Sequence, residues 1–225
     1  MTRWIGGISR LLGDSRYARK VARASDPAVT DDAGDGYRPG DVWINTATLN
    51  EFCCISNAAG AAVWRFRPRT IHQSGVAVAL TGTTNETALR TVPLVANVIG
   101  LTGCLDCRAL FTTLQNDASG KTTRIRFGAS GAGVAGTEFA GLSIASTLSS
   151  RLDQFIQNIT TSTQKGRGAG AGVAGYNIVA AAAVTGAIDT TAATEVVFSG
   201  LLADNTDTMS LEWSQVTLTR PDIGP

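Results

Sequence analysis

Hydrophobic and polar positions divide the chain into three stretches with different periods. Near the N-terminus, apolar residues recur three and four positions apart, and from residue 74 onward they form short runs separated by Gly, Asn, Asp and Ser. The first spacing is typical of an amphipathic helix and the second of β-strands joined by turns. A short aromatic stretch lies between them. The pattern predicts a mainly β protein with a helical anchor and linker (1–33), a small aromatic β module (34–70) and a β-sandwich (71–225).

The leader collects its large apolar side chains on one helical face. At about 100° per residue, one side of the helical wheel holds Trp4, Ile5, Ile8, Leu11 and Leu12. The phase breaks after Gly13, so we expect two short helices with a kink, or one helix broken there. Residues 1–23 contain six Lys/Arg and one acid, a net charge of +5.

A helix this short is marginal alone and needs a surface to bury its apolar face. We expect the five large apolar residues to form an anchor that docks on a partner protein or a sister subunit. A membrane surface is the less favoured alternative for a basic amphipathic helix. Residues 24–36 are mostly turn formers and acids, which indicates an irregular linker.

The long C-terminal stretch contains nine strand-like runs. They are 76–80, 88–95, 105–114, 122–127, 138–144, 152–160, 177–184, 195–202 and 208–219. Eight or nine strands in this order suit an antiparallel, jelly-roll-like β-sandwich. In the last run the apolar positions change parity between Trp213 and Val216, which predicts a β-bulge near Ser214 and Gln215.

Composition excludes several kinds of partner. The net charge is +1, which gives no overall field for nucleic acid, and no apolar run is long enough for membrane insertion. There is no apolar signal segment before a small-residue cleavage site, so we expect synthesis in a cytosol. The four cysteines fit that compartment as small buried thiols. A zinc site made by all four is the minor alternative, and we expect no metal and no cofactor.

Catalytic patterns are sparse. The single histidine, His72, stands in the connection to the sandwich, where we expect a hinge role. One histidine supports neither a Ser-His-Asp triad nor a histidine-rich metal site, so we expect no catalytic residues. Glycoside cleavage stays open because five carboxylates could converge in space: Asp106, Glu138, Asp153, Glu195 and Glu212.

One hexapeptide, Gly-Ala-Gly-Val-Ala-Gly, occurs at both 131–136 and 170–175. Each copy satisfies the dinucleotide fingerprint G-x-G-x-x-G, which functions only between a strand and a helix N-terminus. Strand-like residues follow both copies, so nucleotide binding is disfavoured. Flexible loops at one rim of the sandwich, or loops that merely connect strands, are the remaining interpretations.

The aromatic module carries the most specific motif in the chain. Pro39-Gly40 and Ala59-Gly60 mark turns between very short strands, which must pack on another domain or on copies of themselves. The ordered positions are Gly36, Tyr37, Gly40, Trp43, Asn45, Phe52, Cys54, Ala59, Gly60, Ala62 and Trp64.

Over about thirty residues this order resembles a module of tail-fibre and head-fibre proteins of tailed bacteriophages. The resemblance implies a virion structural protein, usually homotrimeric, in which the module forms a neck. We expect the neck to pack across subunits through Tyr37, Trp43, Phe52 and Trp64. The C-terminal stretch is similar to the jelly-roll tips of phage fibres in its general strand pattern, although it shares no sharp motif with them.

Three functions follow as hypotheses. The first is a trimeric fibre or spike that contacts capsid, portal or tail proteins and displays its jelly roll, with host-surface polysaccharide as a candidate ligand. A pentamer on a fivefold vertex is an alternative assembly. The second is a capsid decoration or cement protein without a receptor role, and the third is a glycan-cleaving enzyme. For the first two, the protein would reside in the virion after assembly in the bacterial cytoplasm.

Overall fold

The computed structural model of the protein describes residues 18–114, 119–144, 148–166 and 183–225. The chain divides into two compact units, one comprising Met1–Arg65 with Asp222–Pro225 and the other Phe66–Pro221. Strands dominate the described part, which confirms the predicted mainly β class. None of its helices has the length and hydropathy needed to span a bilayer. The five proposed anchor residues lie outside the described residues, so their helices stay a prediction.

The first unit is organised by a sheet of short strands. In spatial order these are β1 (Lys20–Arg23), β2 (Val42–Asn45), β3 (Glu51–Ser56) and β4 (Val63–Phe66). Strand β1 runs parallel to β2, and β3 runs antiparallel to it. The prediction of helix up to residue 23 is therefore wrong for β1.

The reason lies in the tertiary partner of β1. The Val42 N–H donates to the Arg19 carbonyl at 2.8 Å, and the Thr46 N–H donates to the Arg23 carbonyl at 2.7 Å. Paired backbone groups of this kind outweigh a weak local helical preference.

The second unit contains eleven described strands. They are β5 (Arg69–Ser74), β6 (Val78–Thr81), β7 (Thr87–Leu94), β8 (Cys104–Leu114), β9 (Lys121–Ala129), β10 (Thr137–Ile144), β11 (Ser149–Thr160), β12 (Thr163–Gly166), β13 (Val184–Gly186), β14 (Thr194–Leu202) and β15 (Thr208–Thr219).

These strands form two antiparallel sheets. The larger sheet has the order β13-β12-β11-β8-β15-β5, with β6 also paired to β15, and the smaller has the order β10-β9-β14-β7. Successive long strands cross repeatedly from one sheet to the other. The arrangement is that of a two-sheet β-sandwich, as the strand count predicted.

The core lies between the inner faces of the two sheets. In β8 burial alternates: Leu105, Cys107, Ala109 and Phe111 are buried, while Asp106, Arg108 and Leu110 are at least partly accessible. Gly200 of β14 lies so close to the larger sheet that an added Cβ would come within 2.5 Å of Met209 Sδ in β15. Close packing of this kind makes the sheets interdigitate as protein interiors do.

Most predicted strands correspond to observed ones, but two strands were missed. Strand β5 falls in the predicted connection to the sandwich, and β12 falls between two predicted runs, 152–160 and 177–184. His72 is therefore not a hinge: it lies in β5, with its Nε2 atom 3.0 Å from Ser214 Oγ in β15. Of the predicted run 177–184, all but the last two residues lie outside the described part.

The predicted bulge in β15 exists but is displaced. The register with β8 shifts between Leu211 and Trp213, which makes Glu212 the extra residue. A second shift, toward β5, falls between Val216 and Thr217. The change in which alternate positions are apolar predicts that β15 contains an irregularity, but it does not predict at which residue.

A fully buried ion pair lies at the start of β9. Lys121 Nζ is 2.7 Å from Asp207 Oδ2, and both side chains have no solvent exposure. Ser119 Oγ donates a hydrogen bond to the same carboxylate oxygen at 2.5 Å. Removal of one partner from such a pair leaves an uncompensated charge in a medium of low polarity, which is costly.

We expect Asp207→Ala to lower the free energy of unfolding by roughly 3–5 kcal/mol, measured by urea denaturation. The matched control is Asp153→Ala, which breaks a half-exposed pair with Arg151 at 3.0 Å. Solvent-exposed pairs contribute at most about 1 kcal/mol. Equal losses in the two variants would contradict the importance of the buried pair.

Candidate functional site

Three aromatic rings form the centre of the first unit. The ring centroids of Tyr37 and Trp64 are 5.2 Å apart, and that of Trp43 is 5.8 Å from each of them. Trp64 meets both neighbours edge to face, an arrangement that the ring quadrupoles favour. The sheet supplies Trp43 and Trp64, and the turn before β2 supplies Tyr37. The sequence thus brings distant aromatic positions into one cluster.

The same rings organise the segment that precedes them. Trp43 Nε1 donates to the Ser25 carbonyl at 2.7 Å, and Trp64 Nε1 donates to the Asp31 carbonyl at 3.1 Å. The guanidinium of Arg19 lies 4.0 Å from the Tyr37 ring centroid, in a cation–π contact. The stretch predicted as an irregular linker is irregular in backbone but held in place by these contacts.

The remaining motif residues shape the turns. Gly36, Gly40 and Gly60 have φ angles of 77°, 93° and 66°, a region that favours glycine. The Asn45 side chain accepts hydrogen bonds from the Ala47 and Thr48 N–H groups at 2.9 and 3.2 Å. The motif is therefore a set of residues that the backbone and core of this unit require.

Two carboxylates of this unit were not singled out from the sequence. Asp32 accepts hydrogen bonds from Gly60 N–H at 2.6 Å and from Gly34 N–H at 2.7 Å, which together lower the pKa of its carboxyl group. Asp41 accepts from the backbone N–H groups of Arg19 and Arg38 at 2.7 and 3.0 Å. Aspartates in turn-rich segments are the signal that could have identified them.

The C-terminal residues complete the unit. Ile223 pairs with Trp64 in an antiparallel bridge, with reciprocal N–H to carbonyl hydrogen bonds of 2.7 and 2.8 Å. Arg65 and Asp222 add an ion pair of 3.3 Å between exposed side chains. The segment that follows the sandwich thus returns to the unit that precedes it, a connection that the linear order of strands does not predict.

The structure brings together the aromatic residues proposed for the neck. Tyr37, Trp43 and Trp64 contact one another, and all three are almost fully buried, as is Phe52 of β3. Burial within a single chain leaves these rings little surface for contact across subunits. They form the interior of the module, and a neck would have to use other residues on its outside.

The carboxylates considered for glycoside cleavage are engaged by neighbours. Asp106 and Asp153 share Arg108, at 2.5 Å and 3.8 Å from its nitrogens, and Asp153 also pairs with Arg151. Arginine side chains thus compensate the charges of Asp106 and Asp153, and the two carboxylates do not face each other as an acid and a base.

The other candidates are held in a similar way. Glu138 lies 2.7 Å from Arg124, and Glu212 accepts a hydrogen bond from Thr112 Oγ1 at 2.6 Å. This bond lowers the pKa of Glu212, whereas a general acid at neutral pH needs a raised one. The geometry gives glycoside cleavage no support.

The first glycine-rich hexapeptide follows β9 and contains the 3₁₀ turn Gly133–Ala135. The almost fully buried carboxylate of Glu195 accepts hydrogen bonds from the N–H groups of Gly131 and Gly133, at 3.0 and 2.6 Å. The chain's own carboxylate thus occupies the backbone N–H groups that a phosphate would need. For this copy the flexible-loop prediction is replaced by a fixed turn, and the second copy lies outside the described residues.

The cysteines of the chain are free thiols, with Cys54 and Cys107 buried. Burial raises the pKa of both thiols, which disfavours the thiolate that metal binding requires. Within the described ranges, no group of three or more His, Cys, Asp or Glu side chains is placed to hold a metal ion.

Comparisons with known proteins give distant similarity only. No protein-family model and no curated protein matches the sequence. Two solved structures from infectious bursal disease virus, the Gx strain and the VP2 subviral particle, match over 74% and 81% of this chain. The identities are 9% and 12%, and the TM-scores are 0.32 and 0.30. The chain spans 34% and 41% of those two chains, and similarity at this level assigns neither a family nor a function.

Asp32 of the first unit gives a pH-dependent prediction. Because the pKa of Asp32 is lower in the folded protein than its ordinary value, its contribution to stability is complete at neutral pH. That contribution is lost as the pH falls below about 4 toward the folded pKa. We expect Asp32→Asn to show a shallower loss of stability over this range, followed by near-ultraviolet circular dichroism of the buried tryptophans. An identical acid profile for both proteins would contradict the assignment.

The C-terminal bridge gives a second prediction. Deletion of Asp222–Pro225 removes the two hydrogen bonds to Trp64, and we expect a lower midpoint for thermal unfolding of the first unit. Tryptophan fluorescence reports this unit because two of the chain's four tryptophans, Trp43 and Trp64, lie in its core. Deletion of Gly224 and Pro225 alone retains the Ile223 bridge and serves as the control, with a much smaller effect expected.

Proposed function

We propose that this protein is a structural component of a tailed-bacteriophage particle, a subunit of a trimeric fibre or spike. In this proposal the N-terminal leader attaches the subunit to capsid, portal or tail proteins, and the sandwich is displayed. Assembly takes place in the cytoplasm of the bacterial host. The protein has no catalytic role and needs no cofactor.

The observation that carries the proposal is the structural role of the glycines, the asparagine and the aromatic residues of the motif in the first unit. Glycines with positive φ, an asparagine that closes a turn and interlocked aromatic rings explain why such a pattern recurs with fixed spacing in the fibre proteins it resembles. A motif of this kind specifies a module and not an active site. The motif therefore supports the proposal that the chain is a structural protein built from modules.

The strand order of the second unit is a further support. Strands β6-β15-β8-β11 and β7-β14-β9-β10 are interleaved as in an eight-stranded jelly roll, with β5, β12 and β13 as additions. Jelly rolls are common among viral and saccharide-binding domains, so fold alone does not assign the function. A host-surface polysaccharide is the ligand class that we propose for the displayed unit.

The oligomeric state tests the proposal first. We expect the full chain at micromolar concentration to sediment as a trimer, whereas a pentamer would indicate a fivefold-vertex location. A monomer with the leader intact would contradict the fibre assignment.

A test of the attachment role needs a deletion that leaves the described fold intact. Removal of residues 1–17 retains Arg19, whose backbone N–H donates to Asp41, and also strand β1. We expect this variant to be folded but absent from particles purified after complementation of a deletion phage. The control is Arg3→Gln, which changes one charge and leaves the large apolar residues of the leader in place. Normal incorporation of the deletion variant would refute the anchor, and host-cell binding of the isolated sandwich would distinguish a spike from a decoration protein.

A further inference from the structure

The outer face of the larger sheet exposes large apolar side chains in the middle of long strands. Alternation in β8 turns Leu110 and Leu114 outward, and alternation in β11 does the same for Phe155 and Ile159. The Phe155 side chain is 56% exposed and that of Leu114 is 65% exposed. A single exposed apolar residue is ordinary, but several on one sheet face suggest a partner.

The strand register groups the outward side chains into rows that cross the strands, each made of residues that pair with one another. Leu110 has Arg151 of β11 on one side and Trp213 of β15 on the other. Four residues along β8 from Leu110, beyond the row of Arg108, Asp106 has Phe155 and Thr217 as its neighbours. Directly opposite side chains in antiparallel strands lie about 5 Å apart, so the rows form one continuous surface.

The polar centre of this surface is fixed in position. Two nitrogens of Arg108 bind Asp106 at 3.1 and 2.5 Å, and its Nε atom lies 3.8 Å from Asp153. Arg151 binds Asp153 from the other side at 3.0 Å. The Arg108 guanidinium is therefore held in position between the row of Leu110 and the row of Phe155.

The charges of this face balance. On β8, β11, β12 and β15 the outward charged residues are three cations and three anions, 3 − 3 = 0, namely Arg108, Arg151, Lys165, Asp106, Asp153 and Glu212. A neutral face does not repel a copy of itself, and it offers no field to a polyanion. Exposed aliphatic side chains such as Leu110 also suit a protein surface better than a hydroxyl-rich saccharide.

The smaller sheet provides an internal comparison. Its outward residues Val197 and Ser199 in β14 are fully buried, and the neighbouring Arg124 and Arg126 form ion pairs with Glu86 at 2.9 and 2.6 Å. That face carries its own cover of paired charges. The central strands of the larger sheet have no equivalent cover among the described residues.

We infer that the outer face of the larger sheet, centred on Leu110, Phe155 and Trp213, is a contact surface for a second copy of this chain. Aromatic and arginine side chains are enriched at the centres of protein interfaces, and a few of them carry most of the binding energy. The inference rests on the proposed function, because that function requires the subunit to self-associate. It adds the surface through which the copies contact each other.

The test is sedimentation equilibrium of the full chain with Leu110→Arg and Phe155→Arg combined. Two added cations on each copy put unpaired charge into the apolar centre of the contact, where it would lose its hydration. We expect self-association weaker by at least about tenfold, with unchanged far-ultraviolet circular dichroism. The matched control is Val95→Arg, at an exposed apolar residue directly after β7 of the other sheet, and this variant should associate as the unmodified chain does.

Phe155→Thr serves as a second variant because threonine keeps a high strand propensity and removes only the ring. It should weaken association in the same direction even if the double variant does not fold. Unchanged association of either folded variant would overturn the assignment of this face while leaving the proposed function intact. A monomeric unmodified chain would overturn both together.

Discussion

Every sheet of this protein must bury one face, because short strands are stable only when their apolar side chains leave water. The first unit meets this constraint with the interlocked rings of Tyr37, Trp43 and Trp64. The second meets it by placing two sheets face to face, with β14 so close to β15 that Gly200 has no room for a side chain. The outer faces that remain are where function can reside.

The sequence predicted the strands of the sandwich well because their alternation is local information. It could not predict strand β1, whose backbone is paired by Val42 and Thr46, residues more than twenty positions away. It missed β5 for the same reason, since His72 acquires its partner Ser214 only through the sheet. The spacing singled out Tyr37, Trp43 and Trp64, but it does not encode the packing that turns their rings toward each other and not toward a sister subunit.

Ion pairs and hydrogen bonds within the chain hold the carboxylates that were considered for glycoside cleavage. The carboxylates that could have formed a catalytic pair are neutralised by Arg108, Arg124 and Arg151, and Glu195 occupies the one described glycine-rich turn. Ion pairs of this type fix side chains in place, whereas catalysis at neutral pH needs carboxyl groups with separated pKa values. The same pairing preorganises the exposed face of the larger sheet for contact with another surface.

The central claim is that the protein is part of the outside of a phage particle. The most direct measurement is electron microscopy of purified intact particles, labelled with gold-conjugated antibody against the sandwich. We predict gold at discrete sites, either on head vertices or along the tail, in numbers that are multiples of the oligomer. Particles of normal infectivity that carry no label, while the protein stays in the soluble fraction of the lysate, would contradict the account.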